Sequence, residues 1–136
     1  MKRIGVIIML SLVFSASCKK IVEDTKKNYA LDIMTTGEWY IELYQGSGND
    51  STILFTGYSF DFEENGTLLA KGPQEQNGTW TGDIPTYSIV TTFPAAGEPL
   101  ERLNGTWVLK DSAEEWVLAE MGMGAAKKVL KLRKKP

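Results

Sequence analysis

The stretch YSFDFEENGTLLAK at residues 58–71 decides the fold class. Tyr58, Phe60 and Phe62 alternate with polar residues, which is the period of a half-buried β-strand. Residues 63–66 then read Glu-Glu-Asn-Gly, and Asn-Gly is the pair that best accepts the positive φ angles of a tight hairpin. The segment TLLAK at 67–71 is therefore predicted to return antiparallel to the first strand.

Residues 1–17 have the pattern of a secretory signal peptide. Two basic residues precede an apolar run from Ile4 to Phe14, which is too short to span a membrane. Three small residues follow, and then Cys18, the only cysteine of the chain. A single cysteine forms no internal disulfide. The segment resembles the lipobox of bacterial lipoproteins, which implies that Cys18 is the acylated mature N-terminus. The alternative is cleavage nearby, with a free thiol.

The triplet Asn-Gly-Thr of the first hairpin occurs twice more, at 77–79 and 104–106. It is either a glycan acceptor or a turn sequence. N-glycosylation of this motif belongs to the eukaryotic secretory pathway, whereas a lipobox is bacterial. We therefore interpret the repeated triplet as a turn sequence that leads into a strand.

The chain is long enough for one small domain. We expect a signal peptide at 1–17, a lipidated flexible tether at 18–29 and a single barrel domain at 30–136. From Gly37 to Ala126 there are three basic and fourteen acidic residues, and most other basic residues lie in the tether or at the C-terminus. An acidic body repels phosphates, so we expect no nucleic-acid partner. We expect a monomer in the bacterial cell envelope, held at the outer membrane through Cys18.

Eight short segments show the alternation of strands, and one helical turn within 29–36 precedes them. They are 38–45, 53–62, 67–71, 77–82, 86–93, 103–110, 114–121 and 127–134. Short connections predict consecutive antiparallel pairing in an up-and-down meander. Closure into an eight-stranded all-β barrel would remove the exposed sheet edges. A β-sandwich is the alternative.

The apolar face of these strands predicts fifteen large inward side chains. They are Trp39, Ile41, Leu43, Tyr58, Phe60, Phe62, Trp80, Tyr87, Ile89, Trp107, Leu109, Trp116, Leu118, Leu130 and Leu132. An eight-stranded barrel is just wide enough to be filled by side chains or to hold one small ligand. Both outcomes are compatible with this set. In the second case the expected ligand-binding residues are Tyr58, Phe60, Tyr87, Trp107, Trp116 and Leu118.

Several segments resemble the small lipocalin-like domains of bacterial lipoproteins. They are GEW at 37–39, GYSFDFEENGT at 57–67, NGTW at 77–80, PLERLNGTW at 99–107 and the lysine-rich last strand. The resemblance implies an eight-stranded barrel whose interior can admit an apolar ligand. It also implies that Trp39 packs at the closed end of the barrel under Arg133.

The residues available for chemistry argue against catalysis. The chain contains no histidine, and its cysteine is used for the anchor, which removes the commonest general base and nucleophile. We expect no enzymatic activity, no metal and no cofactor. The first hypothesis is a module that binds a small hydrophobic or amphipathic ligand in the barrel. The alternative is a surface protein that binds or inhibits a macromolecule, with a filled barrel as its scaffold.

Overall fold

The computed structural model describes residues 32–136. The predictions made for the signal peptide, for lipidation of Cys18, for the tether and for residues 30 and 31 lie outside this range. A short helical turn at residues 32–34 precedes the first strand.

Nine strands and three short 3₁₀ helices make up the described part of the chain. The strands are β1 (Trp39–Gly46), β2 (Asn49–Asp50), β3 (Ser59–Phe62), β4 (Thr67–Lys71), β5 (Gln76–Asp83), β6 (Ser88–Thr92), β7 (Gly105–Ser112), β8 (Trp116–Met121) and β9 (Lys128–Lys134). The 3₁₀ helices are Thr52–Phe55, Leu100–Leu103 and Gly124–Ala126.

Strands β1 and β3 to β9 form a closed antiparallel barrel. Each pairs with the next along the chain, and β1 pairs with β9 along most of its length. The predicted eight-stranded up-and-down barrel is therefore confirmed. Strand β2 is the addition, since its two residues pair with Gln45 and Gly46 beyond the point where β3 meets β1.

In the hairpin that decides the fold class, β4 returns antiparallel to β3, as predicted. Phe62 is opposite Leu68, and the N–H of Glu63 donates to the carbonyl of Thr67 at 2.9 Å. Gly66 has a φ angle of 91°, and the Asn65 side-chain oxygen accepts from the Thr67 N–H at 2.9 Å. Both residues of the Asn-Gly pair therefore shape the turn.

The other two Asn-Gly-Thr triplets are not turns, so that part of the prediction is wrong. Asn77 and Gly78 lie inside β5. A Cβ atom on Gly78 would lie 2.7 Å from the ring of Phe93 and closer still to the Thr92 carbonyl, so this glycine allows two backbones to approach. Gly105 opens β7 with a φ angle of 134°.

A β-bulge in β1 reverses part of the predicted inward face. Ile41 is opposite Leu132, but Leu43 is opposite Lys131, so Glu42 is the extra residue. Beyond the bulge Tyr44 is buried and Leu43 is only half-buried. The prediction that Leu43 points inward is wrong for this reason.

The segment 53–62 is a strand only in its last four residues. Residues Thr52–Phe55 form a 3₁₀ helix, and Phe55 from this helix packs on Tyr44 with 5.1 Å between ring centroids. The helix is tied to β1, because the Thr52 hydroxyl oxygen accepts from the Tyr44 N–H at 2.9 Å. The helix therefore packs on β1 beyond the short region where β1 pairs with β3 through a single residue pair.

The barrel core contains most of the predicted inward residues. Ten of them are buried: Trp39, Ile41, Tyr58, Phe60, Phe62, Ile89, Trp107, Leu109, Leu130 and Leu132. Trp80 and Tyr87 pack partly buried against the core. Residues absent from the predicted set complete it, both large ones such as Tyr44 and Phe93 and small ones such as Ala70, Val117 and Ala119.

Candidate functional site

The two ends of the barrel are built differently. We call the end that holds residues 32–38, 113–115 and 134–136 the entry end, because the described chain enters there. The opposite end, with connections 47–58, 93–104 and 122–127, is called the loop end. Antiparallel pairing fixes this assignment, since β1 starts at the entry end and every later strand reverses direction.

Trp39 lies buried at the entry end, and the cation beside its ring is Lys134 and not Arg133. Trp39 is fully buried, and its indole N–H donates to the carbonyl of Met34 in the helical turn at 3.0 Å. The Nζ atom of Lys134 lies 5.3 Å from the ring centroid. Lys134 is directly opposite Trp39 and alternates with Leu132 and Leu130, a sequence signal that could have identified it.

Arg133 lies on the outer face of the barrel, so its predicted role over Trp39 is wrong. It is opposite Tyr40 on one side and Trp116 on the other. Its Nε atom lies 3.0 Å from a carboxylate oxygen of Glu42, the bulge residue of β1. Alternation with the buried Leu132 forces this outward direction.

The loop end is closed by the 3₁₀ helix Leu100–Leu103. The carbonyl of Leu103 accepts hydrogen bonds from the Thr91 hydroxyl and from the indole N–H of Trp107, the latter at 2.9 Å. The Tyr44 hydroxyl donates to the Arg102 carbonyl at 3.2 Å. Burial raises the pKa of Tyr44. Leu100 and Leu103 are buried, so this end is also shut by packed side chains.

The interior void that remains is about 30 Å³ in volume. Its lining is apolar apart from Thr91, and includes Met34, Phe62, Trp107, Leu109 and Leu130. Sites for small ligands are roughly 300–1,000 Å³. A void this small holds no ligand of lipid size, and side chains fill the barrel in this conformation.

The six predicted ligand-binding residues do not form one site. Tyr58, Phe60 and Trp107 are buried in the barrel, and Trp107 alone among the six lines the void. Tyr87 is half-buried, with its hydroxyl 3.5 Å from that of Ser112.

Trp116 and Leu118 point out of the barrel, so their predicted inward direction is wrong. Their neighbours Val117 and Ala119 are the buried residues of β8. Both faces of β8 are apolar, so the sequence does not show which face points inward. The prediction placed the larger side chains, Trp116 and Leu118, on the inner face, and this assignment is reversed in the structure. Small residues are needed inside at this level, since Met34, Phe62 and Trp107 already occupy the interior beside them.

Outward side chains of β8, β9 and β1 form two matching rows. In one row Arg133 stands between Trp116 and Tyr40, and in the other Lys131 stands between Leu118 and Leu43. The Nζ atom of Lys131 is 5.1 Å from the Trp116 ring centroid and 3.5 Å from the Glu42 carboxylate. We call these six residues the β8–β9–β1 face: Tyr40, Leu43, Trp116, Leu118, Lys131 and Arg133.

Two ion pairs shift the ionisation of carboxylates near β1. The hydrogen bond from Arg133 lowers the pKa of Glu42, despite partial desolvation. The hydrogen bond from Lys71, whose Nζ lies 2.6 Å from the carboxylate, lowers the pKa of Glu38. All four side chains are about a third exposed or more, so these pairs are surface features with small energetic effects.

The loop end exposes several large apolar side chains. Ile53 is 80% and Met123 87% exposed, and Leu54 is also exposed. Beside Met123, an open groove of about 440 Å³ runs between Val108, Lys110, Glu120 and Lys127. The connections that carry Ile53 and Met123 are joined by a hydrogen bond from the Ser47 N–H to the Lys127 carbonyl at 3.3 Å.

Within residues 32–136, no three Asp, Glu, His or Cys side chains are grouped so that they could hold a metal ion. In the same range, none of the helices is long and apolar enough to cross a membrane.

The fold is similar to that of a solved structure. It is the crystal structure of a DUF4847 family protein from Bacteroides vulgatus, with a TM-score of 0.57 and 15% sequence identity, covering 77% of this chain and 98% of that chain. Identity at this level shows a common fold alone. No protein-family model matches the chain, and no curated protein matches it.

Proposed function

We propose that this protein is a lipid-anchored, non-catalytic envelope protein whose filled barrel is a rigid scaffold for binding a macromolecule. The observation that carries the proposal is the interior void of about 30 Å³. This volume is roughly a tenth of the smallest ordinary ligand pocket. Of the two hypotheses raised by the sequence, the geometry therefore supports the scaffold better than the ligand carrier.

Closure at both ends supports the same choice. Trp39 and Met34 occupy the entry end, while Leu100 and Leu103 occupy the loop end. The plugging residues are fixed by hydrogen bonds from the indole N–H groups of Trp39 and Trp107 to backbone carbonyls. A ligand would have to displace well-packed side chains and break these bonds, which would oppose binding.

The loop end is the surface we assign to the macromolecule. Ile53 and Met123 present large apolar side chains to solvent there, and apolar groups that become buried on association are typical of the centre of an interface. The described chain enters at the opposite end of the barrel. A monomer held by Cys18, at the outer membrane in our proposal, would present Ile53 and Met123 to other envelope components.

Site-specific photo-crosslinking in intact cells tests the surface assignment. A photoreactive residue replaces Ile53 or Met123 in separate variants, and Thr81, an exposed residue of β5, serves as the control position. Discrete crosslinked species of one mass at both loop positions, and none at Thr81, are expected. Equal labelling at all three positions, or none at any, would contradict the assignment.

The anchor has its own test. Protein extracted from membranes should carry a diacylglycerol-modified Cys18 and no sugar on Asn65, Asn77 or Asn104, as read by peptide mass spectrometry. An unmodified thiol at Cys18, or a sugar on any of these asparagines, would refute the bacterial lipoprotein proposal.

A further inference from the structure

The basic residues of the barrel are segregated onto one side. Residues 47–112, which include β3 to β7, hold nine acidic and three basic residues, whereas residues 38–46 and 113–136, which include β1, β8 and β9, hold five acidic and six basic residues, with all six basic ones in the basic segment 127–135. Lys131 and Arg133 belong to this basic segment and point outward from β9. Lys134 and Lys135 continue it at the entry end. The barrel is thus acidic overall, and its excess of negative charge lies away from the side formed by β8, β9 and β1.

Apolar side chains flank the cations on that side. Trp116 and Tyr40 lie on either side of Arg133, and Leu118 and Leu43 on either side of Lys131. All four are half-buried, so part of each side chain remains in contact with solvent. Tryptophan and tyrosine beside lysine and arginine are the residues that favour a membrane–water interface, because their apolar bodies enter the lipid while their polar groups stay wet.

The bulge residue Glu42 organises the cations. Its carboxylate lies within 3.0 Å of Arg133 Nε and 3.5 Å of Lys131 Nζ. Glu42 therefore pairs with basic groups of two adjacent rows, and Glu115 lines the same surface depression as Arg133. Lys131 and Arg133 remain about 30% exposed, so both can reach an anionic surface.

The position of the chain entry is compatible with membrane contact on this side. Asp32, the first described residue, lines the same surface depression as Glu114 and Lys134, which places the entry beside the end of β9. Fourteen residue steps separate Cys18 from Asp32, and they span up to about 45–50 Å when extended. A seven-residue strand is only about 23 Å long, so an anchored barrel can turn this side toward the lipid.

We propose that the β8–β9–β1 face docks onto an anionic phospholipid surface. Lys131 and Arg133 contact phosphate groups, and Trp116, Tyr40, Leu118 and Leu43 enter the headgroup region. The acidic side of β3 to β7 is then repelled, which sets the orientation of the barrel. This inference rests on the lipid anchor of the proposed function, because the anchor keeps the barrel at the membrane.

Vesicle sedimentation with the unlipidated chain from residue 18 onward, carrying Cys18→Ser, tests the proposal. Vesicles contain phosphatidylcholine with or without phosphatidylglycerol. Binding is expected only with phosphatidylglycerol. The double variant K131Q/R133Q is expected to lose affinity about 25-fold, at about fivefold per basic residue near the surface. The matched control K71Q/K110Q removes the same charge from β4 and β7, on the acidic side of the barrel, and should lose much less.

Tryptophan fluorescence gives a second readout. When the protein that retains Trp116 is bound to vesicles, lipids with brominated acyl chains should quench part of its tryptophan emission. In W116F the remaining emission should not be quenched, because Trp39 and Trp107 are buried in the barrel and Trp80 lies on β5.

The proposal would be overturned if the chain did not bind phosphatidylglycerol vesicles, or if both double variants lost the same amount of affinity. It would also be overturned if K131Q/R133Q bound as tightly as the wild type, because the lysines of the tether would then account for the binding. Binding to polyglutamate without binding to vesicles would also overturn it and would indicate an acidic protein partner. The chain used here has no lipid, so failure leaves the anchor proposal to its own test on Cys18.

Discussion

Trp39 and Trp116 are each the first residue of a strand, yet their surroundings differ completely. Trp39 is fully buried and hydrogen-bonded to Met34, while Trp116 lies outside under Lys131. A large side chain contributes to stability mainly through the apolar area it removes from water. The two tryptophans should therefore differ in energetic importance, although the sequence gives them the same appearance.

Replacing Trp39 with Phe is expected to lower the free energy of unfolding by about 2–3 kcal/mol, because it leaves a cavity and an unpaired buried carbonyl. Replacing Trp116 with Phe should change it by less than about 1 kcal/mol. Urea denaturation of both variants provides the measurement. Equal losses would contradict the assigned positions of the two side chains.

Gly78 is a second residue whose role depends on tertiary contact. A Cβ atom at this position collides with the Thr92 carbonyl and the Phe93 ring. Gly78→Ala is expected to destabilise the barrel by about 1–3 kcal/mol through overpacking. Gly46→Ala is the matched control, since its Cβ would meet only ordinary contacts at 3.9 Å or more. Thermal unfolding that is unchanged in G78A would contradict the close approach of β5 and β6.

At the scale of elements, the strand periodicity predicted the eight barrel strands but not every direction of their side chains. The bulge at Glu42 exchanges Leu43 for Tyr44 on the inner face. No local sequence signal marks that bulge, because it follows from pairing with β9. The phase of β8 was equally undetermined, since Val117 and Ala119 are small and apolar. Cross-strand packing, which lies outside a single strand's sequence, decides both cases.

The first hairpin depends on its Asn-Gly turn. Asn65→Ala removes the hydrogen bond from the Thr67 N–H to the Asn65 side chain, so a loss of about 0.5–1.5 kcal/mol in unfolding free energy is expected. Asn77→Ala, in the same triplet inside β5, should cost less than about 0.5 kcal/mol because Asn77 is exposed. A larger cost at Asn77 than at Asn65 would show that the triplets were assigned to the wrong elements.

The β1–β9 ladder should also show a pH dependence. The pKa of Glu42 is lowered in the folded protein by Arg133, so the folded state binds fewer protons at this site than the unfolded state. Its stabilising contribution is present above the unfolded pKa and is lost as the pH falls through the folded pKa. The stability difference between wild type and E42Q should therefore shrink between about pH 7 and pH 3.

Denaturant midpoints at the two pH values measure this difference. E64Q is the control, because Glu64 is an exposed residue of the β3–β4 turn. A difference between wild type and E42Q that stays constant or grows in acid would refute the ion pair with Arg133.

For the molecule as a whole, the sequence predicted that the sheet closes into a barrel. It did not predict whether side chains fill the interior of that barrel. Eight alternating strands with short connections require a closed sheet, but their apolar residues are compatible with either a pocket or a filled interior. The filled interior depends on the plugs supplied by residues 32–34, Thr52–Phe55 and Leu100–Leu103. Most of the helix Thr52–Phe55 was predicted as the start of a strand and most of Leu100–Leu103 was predicted as no element, so sequence alternation gave no indication that they would cap the barrel.

Native mass spectrometry of the chain purified from its own cells, transferred gently from detergent, tests the filled barrel most directly. With a filled barrel we expect one species, whose mass equals the polypeptide plus its covalent lipid, and no additional mass released by solvent extraction. A further bound molecule of several hundred daltons would contradict it if W107A weakened its binding and W116A did not. The interior would then open to a ligand, and the barrel would be a carrier.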